Sequence, residues 1–400
     1  MSGPVDLVRS EEIKGFRNLG PLYEWQEGKA YLIIDRVSYQ ETEGVILCYC
    51  NPPVHQVGNP ALDAYLEGLD RVAEKREELA FLILYGANDP VHAGGDLKES
   101  LTRLDQTQEA KREKEAAGAS AEELDHLFQW ADGRLEKGIA LHRKVRDLAR
   151  DLRVVAVCGG GTRFGGSAEI PLMADVLVGD SRSGMCFSEA MIGLIPGWAG
   201  IARALLKAGP VNTAYMTMTA KETKAPDLAR IGIYNTVVEV SFPFPKKERT
   251  DDPDADKARF LQALAEHDHK TGLLMLPEGL RLATCAQKDI PGVRPEEREE
   301  LASEEDIAQE VVRRVDPETY AGLHEKPLKE VREEIGLLGR PLAPQSIEAL
   351  TGLLKGVDPE RMDEAAFVRR EMEADARLYR DRRFRAGLTA TLGQSVADYR

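Results

Sequence analysis

Apolar positions alternate between two rhythms over the first 240 residues and settle into one thereafter. Within residues 30–50 the runs AYLIIDRV and GVILCYC are separated by the polar SYQETE, which predicts a β-hairpin. From Ala61 to Leu79 the apolar residues Leu62, Tyr65, Leu66, Leu69 and Val72 fall at helical spacing, with charges between them. LAFLILYG then runs without a polar interruption, as in a strand buried on both faces. RVVAVCGGG, ADVLVG and IYNTVVEV repeat that strand pattern, and TRFGGSAEIPLM reads as a glycine turn leading into a helix. Such alternation predicts an α/β fold.

One long segment interrupts it. Thr102 to Arg153 is rich in Glu, Lys, Arg and Ala, and Leu124, Leu127, Phe128, Leu135, Ile139 and Val145 lie near one helical face, which predicts at least one long amphipathic helix. Its charges read as a solvated face. After residue 240 the polar, proline-bearing PFPKKERTDDPDADKAR reads as a linker. Helices are predicted at 255–267, 295–315, 328–338, 344–355 and 362–392. The chain thus divides into a core at 1–240, carrying a charged insertion at about 100–150, and a helical region at 241–400.

Composition narrows the classes. Four hundred residues with 53 Lys+Arg against 68 Asp+Glu carry a formal charge of −15, which argues against nucleic acid as a partner. No stretch reaches the roughly 18 apolar residues of a membrane helix, and MSGPVDLVRSEEIKGF lacks the apolar centre of a signal peptide, so no membrane partner and a cytoplasmic location are expected. The five cysteines are scattered. Cys48 and Cys50, two apart on a strand, are expected to share a face and fill a core.

Two glycine turns each follow an apolar strand and precede a helix: His92-Ala93-Gly94-Gly95-Asp96-Leu97 and Phe164-Gly165-Gly166-Ser167-Ala168-Glu169. The first amides of a helix lack intrahelical acceptors, so such turns can hold an anion or a developing oxyanion. Glu169 stands in an apolar stretch, and twenty positions later Glu189 does the same in MCFSEAMIGLIPGWAG. Two carboxylates in apolar settings suit acid–base work, although capping helices or pairing with arginines would explain them too. His267-Asp268-His269 has metal-ligand residue types, but residues two apart on a helix do not share a face, so a surface position and no metal are expected.

The order and spacing of these motifs resemble the crotonase, or enoyl-CoA hydratase/isomerase, superfamily over roughly residues 28–240. Ala93-Gly94-Gly95-Asp96-Leu97 matches its first turn. Gly165-Gly166-Ser167-Ala168-Glu169-Ile170 matches its second, with Asp175 at the aspartate that follows, and Phe187, Glu189, Gly193, Pro196 and Gly197 match its third block. The resemblance implies a ββα spiral core, here with an enlarged helical C-terminal region for covering the active site and oligomerisation, and an acyl-CoA substrate with coenzyme A as part of that substrate and no separate cofactor. It further implies an oxyanion hole from the Ala93 and Gly166 amides, catalytic Glu169 and Glu189, and assembly as a homotrimer or hexamer. Gly94, Gly197, His92 and Trp198 are the implied substrate contacts, His92 alternatively being a satisfied or solvent-facing residue and Trp198 a packing one. Retention of both glutamates points to a hydratase. The stretches APQSIEALTGLL and FVRREMEADARLYRDRRFRAGLTATL also resemble the end of 3-hydroxyisobutyryl-CoA hydrolases, which keeps an acyl-CoA hydrolase open beside an enoyl-CoA isomerase and a non-catalytic scaffold.

Overall fold

The computed structural model describes residues 4–10, 12–247, 250–336 and 338–400. Its contacts gather into two compact units: Met1–Gly94, Leu141–Met185 and Thr223–Arg298 form the first, and Gly95–Ala140, Cys186–Glu222 and Glu299–Arg400 the second.

The first unit opens with helix α1 (Pro4–Arg9) and three antiparallel strands, β1 (Phe16–Glu27), β2 (Ala30–Tyr39) and β3 (Thr42–Cys50). The β2–β3 hairpin is the one the sequence predicts. Its two turn residues, Gln40 and Glu41, have φ of 48° and 68°, the left-handed pair a two-residue hairpin turn requires. Helix α2 (Asn59–Glu74) leads to β4 (Phe81–Gly86), parallel to β3, and the parallel part continues through β6 (Arg153–Cys158), β8 (Val176–Asp180) and β11 (Thr236–Val238). The seven-stranded order is β1-β2-β3-β4-β6-β8-β11. A second sheet of short strands, in the order β10-β9-β7-β5, comprises β5 (Val91–His92), β7 (Thr162–Phe164), β9 (Gly184–Cys186) and β10 (Thr223–Lys224).

One face of the large sheet is covered by α1 and by α9 (Pro253–Thr284). Phe16, Val37, Ile46, Cys48, Ile83, Val155 and Val178 meet Met275, Leu276, Leu280 and Leu282 of α9 there. Each such leucine, fully buried, is worth about 1.5–3 kcal/mol. Pro253 opens α9 and Asp252 caps it, accepting from the Ala255 N–H at 3.0 Å. Helix α9 therefore belongs to the sheet-bearing unit, and the boundary expected at residue 240 is not where the units divide: a polar loop is not a domain linker when the helix beyond it covers the sheet. Helices α6 (Gly166–Leu172) and α8 (Ala225–Arg230) complete the first unit, and all the cysteines among the described residues are free, with Cys48 and Cys50 buried.

The second unit is helical. Asp96 caps α3 (Leu97–Ala116) by accepting from the Lys98 and Glu99 N–H groups at 2.9 and 3.0 Å. The charged insertion is thus α3, α4 (Ala121–Asp125) and most of α5 (Gln129–Leu148), whose last residues from Leu141 count with the first unit. Helices α7 (Gly200–Met218), α10 (Glu304–Val315), α11 (Leu328–Ile335), α12 (Pro344–Leu354), α13 (Glu364–Tyr379) and α14 (Arg382–Leu392) complete it. The predicted helix at 362–392 is two, separated where Asp381 caps α14.

Candidate functional site

In the first unit the two glycine turns lie against each other. A Cβ built on Gly94 would stand 2.7 Å from the Phe164 carbonyl oxygen and 3.0 Å from the Gly166 nitrogen, so only glycine permits the approach. The Ser167 hydroxyl donates to the Ala93 carbonyl, tying the turns together. Gly165, with φ of 51°, delivers the chain into α6, whose first amides point away from any intrahelical acceptor.

The Ala93 amide is not one of the open donors. It donates to the Val54 carbonyl at 2.7 Å, while the Gly94 carbonyl accepts from the Val57 N–H at 2.9 Å. Pairing with the 54–57 loop turns Ala93 inward, and this corrects its expected place as an oxyanion donor. Among the described residues neither the Gly94 nor the Gly166 amide has an acceptor. Glu169, in the first turn of α6, is 3% exposed. Asp175 accepts from Arg146 at 2.7 Å, a structural ion pair at the end of α5.

His92 is neither solvent-facing nor satisfied. It is 6% exposed, Nε2 has no partner among the described residues, and burial, with the charge of Arg163 adding to it, holds the ring well below the usual histidine range. His267 and Asp268 also depart from expectation, since both are buried on α9. Arg182 donates to His267 Nε2 at 2.6 Å, and Asp268 accepts from the backbone and side-chain nitrogens of Asn88 at 2.5 and 3.0 Å. His269 points elsewhere, to Glu12 at 3.1 Å, as the helical spacing requires. No cluster of three or more metal-ligating side chains occurs among the described residues.

In the second unit Glu189 begins a short helical turn and is 8% exposed. Gly197 is packed so closely that a Cβ would lie 2.6 Å from Asp375 Oδ2 and 2.8 Å from Leu135, and Asp375 also accepts from the Ile195 N–H at 3.0 Å. Ala199, at φ of 71°, turns the chain into α7. Trp198 is buried on Gly138 of α5, and the Arg134 guanidinium lies 5.8 Å from its ring centroid. Arg134 is itself 3% exposed and would crowd any side chain at Gly95. Within the second unit the insertion therefore supplies contacts to Gly95 and to the Gly197-Trp198 segment, a role hidden in the sequence because Arg134 reads as one more surface charge. Asp375 is hidden likewise within the charged EADARLY.

The enoyl-CoA hydratase/isomerase family matches residues 115–242. The fatty acid oxidation complex subunit alpha of Idiomarina loihiensis is 31% identical over 153 residues, spanning 36% of this chain and 21% of that protein. Carnitinyl-CoA dehydratase of Proteus mirabilis is 29% identical over 123 residues, spanning 30% and 47%, and short-chain-enoyl-CoA hydratase of Clostridium acetobutylicum is 30% identical over 125 residues, spanning 31% and 47%. The matches thus span less than half the length of these curated relatives. A crystal structure of an enoyl-CoA hydratase from Rhodobacter sphaeroides overlays with a TM-score of 0.49 at 17% identity, covering 87% of this chain and 86% of that one. No helix among the described residues is long and apolar enough to cross a membrane.

Proposed function

The chain belongs to the enoyl-CoA hydratase/isomerase superfamily, matched over residues 115–242 and built on a crotonase-like α/β core with a large helical C-terminal region, and from this premise we propose that it hydrates a 2-enoyl-CoA thioester. The observation that carries the reading is the apposed pair of glycine turns with a buried glutamate one helical turn along, Gly94 against Gly166 and Glu169 on α6.

In this proposal the Gly166 amide and the Gly94 amide, replacing that of Ala93, receive the thioester oxygen as it gains negative charge. Glu169 takes a proton from water, whose oxygen bonds to C3. The electron pair of the double bond moves to C2 through the enolate, and Glu189 supplies the proton that C2 receives, so one water is consumed and no redox partner is required. Gly197 and Trp198 line the acyl group, coenzyme A enters as part of the substrate, and the protein assembles as a homotrimer or hexamer. Product analysis after incubation with crotonyl-CoA tests the reading. A 3-hydroxyacyl-CoA supports it, whereas free coenzyme A without hydration, or a shifted double bond with no water added, assigns the chain to hydrolysis or isomerisation.

A further inference from the structure

The first unit contains a cleft of about 70 Å³ that the hydration reaction leaves unused. It lies at the C-terminal ends of β3, β4 and β6, walled by Tyr65, Tyr85 and Ile170, and its polar wall includes His92 and Arg163. These two residues are register partners in the parallel β5–β7 pair, so both side chains leave the same face of the small sheet.

Both present an unanswered polar atom. Arg163 is 5% exposed and donates through Nη2 to the Gly159 carbonyl at 2.9 Å, while its buried Nη1 has no acceptor. No carboxylate among the described residues forms an ion pair with it. Of the nearby acids, Asp180 is paired with Arg182 at 2.9 Å, and Asp89 is held by His55 at 2.7 Å, where the His55 Nδ1 accepts from the Asn51 N–H and so leaves Nε2–H as the donor. The His55 ring lies against His92 at a centroid distance of 5.1 Å. His92 donates to the Asp89 backbone carbonyl, and its buried Nε2 is left as a lone-pair acceptor. A buried guanidinium without a counter-charge is costly, and one ligand bearing both an acceptor oxygen and a proton would answer both atoms.

We propose that this cleft binds a small oxyanion, a carboxylate or phosphate group, with one oxygen on Arg163 Nη1 and a protonated oxygen, or a proton taken up by the imidazole, at His92 Nε2. The group is either a free anion or the carboxylate end of an acyl chain.

Calorimetric titration of the full chain with sodium acetate and with inorganic phosphate, at constant ionic strength, tests the free anion. Saturable one-to-one binding is expected, weakened at least tenfold in Arg163→Met and partly retained in Arg163→Lys, with the His92 ring nitrogen resonance moving on binding. The second arm compares glutaryl-CoA with valeryl-CoA. Tighter binding of glutaryl-CoA by tenfold or more, lost in Arg163→Met, assigns the oxyanion to the acyl terminus. If Arg163→Met does not fold, the wild-type titrations decide with Arg163→Lys. The proposal is overturned if neither free anion saturates and glutaryl-CoA gains nothing over valeryl-CoA, as for a cleft holding only water, or if the Arg163 variants bind as the wild type does. Neither arm needs turnover, so this failure would leave the hydratase reading untouched.

Discussion

Asp268 sets a pH dependence of stability that can be worked out in sign and size. Burial on α9 pushes its carboxyl from 3.8 up to about 7, although the hydrogen bonds from Asn88 oppose the shift. In the unfolded chain it titrates near 3.9. Between roughly pH 4 and 7 the folded chain therefore holds a proton the unfolded chain has lost, and stability falls as pH rises through that window. About three pKa units at 1.36 kcal/mol each correspond to about 4 kcal/mol. His267 acts in the opposite sense. Burial, together with the Arg182 charge, lowers its ring from 6.5 to about 4, so between those values the unfolded chain binds the extra proton and stability rises with pH. The two slopes oppose each other from about pH 4 to 6.5, and only that of Asp268 continues to about 7. Asp268→Asn keeps an acceptor oxygen for Asn88 and removes the titration. Its urea midpoint should climb between pH 4.5 and 6.5, where the wild type stays comparatively flat, and its stability relative to the wild type should be higher at pH 8 than at pH 5. Parallel profiles for the two proteins from pH 4.5 to 8 would refute the assignment.

Three further substitutions probe the packing within the two units, each by itself. Gly138→Ala places a methyl 2.1 Å from the Trp198 ring and should lower stability by about 1–3 kcal/mol, read as a fall in melting temperature; an unchanged midpoint would contradict the packing. Gly94→Ala forces apart the two glycine turns and should reduce kcat by about 10²–10³-fold with a far smaller change in melting temperature, while full turnover would remove Gly94 from the oxyanion pocket. Arg314, fully buried, donates to the Thr219 and Arg340 carbonyls. Arg314→Met leaves those carbonyls unanswered and should cost about 2–3 kcal/mol in chemical denaturation, a loss below 1 kcal/mol being inconsistent with that role.

The parts of the fold legible in the sequence are those whose local pattern and tertiary environment agree. The hairpin at 30–50 and the runs LAFLILYG and RVVAVC are sheet strands because their side chains meet protein on both faces. Strand β1 is not marked in the sequence because it lies at the sheet edge, where only Phe16 is buried, the exposed positions mix Arg17, Glu24, Gln26 and Glu27 with Leu19 and Pro21, and register shifts occur near Gly20 and Pro21. The membership of α9 escaped for a different reason. His267 and Asp268 look like surface residues until Arg182 and Asn88, distant in sequence, are brought to them. Both glycine turns were visible as motifs, yet which of their amides are open depended on the 54–57 loop, which no motif marks. Arg134, Arg163 and Asp375 are hidden likewise: the burial of a charged side chain shows only when the chain is folded.

In the proposed reaction a buried glutamate on α6 activates water against an enoyl thioester held by the glycine turns. Its most direct measurement is the loss of the 2-enoyl-CoA chromophore with crotonyl-CoA, comparing the wild type with Glu169→Gln and Glu189→Gln after confirming that each variant melts as the wild type does. The proposed reaction requires wild-type hydration and a fall of about 10²–10⁴-fold in kcat for each variant, with KM little changed. Hydration at the wild-type rate by both variants would contradict it.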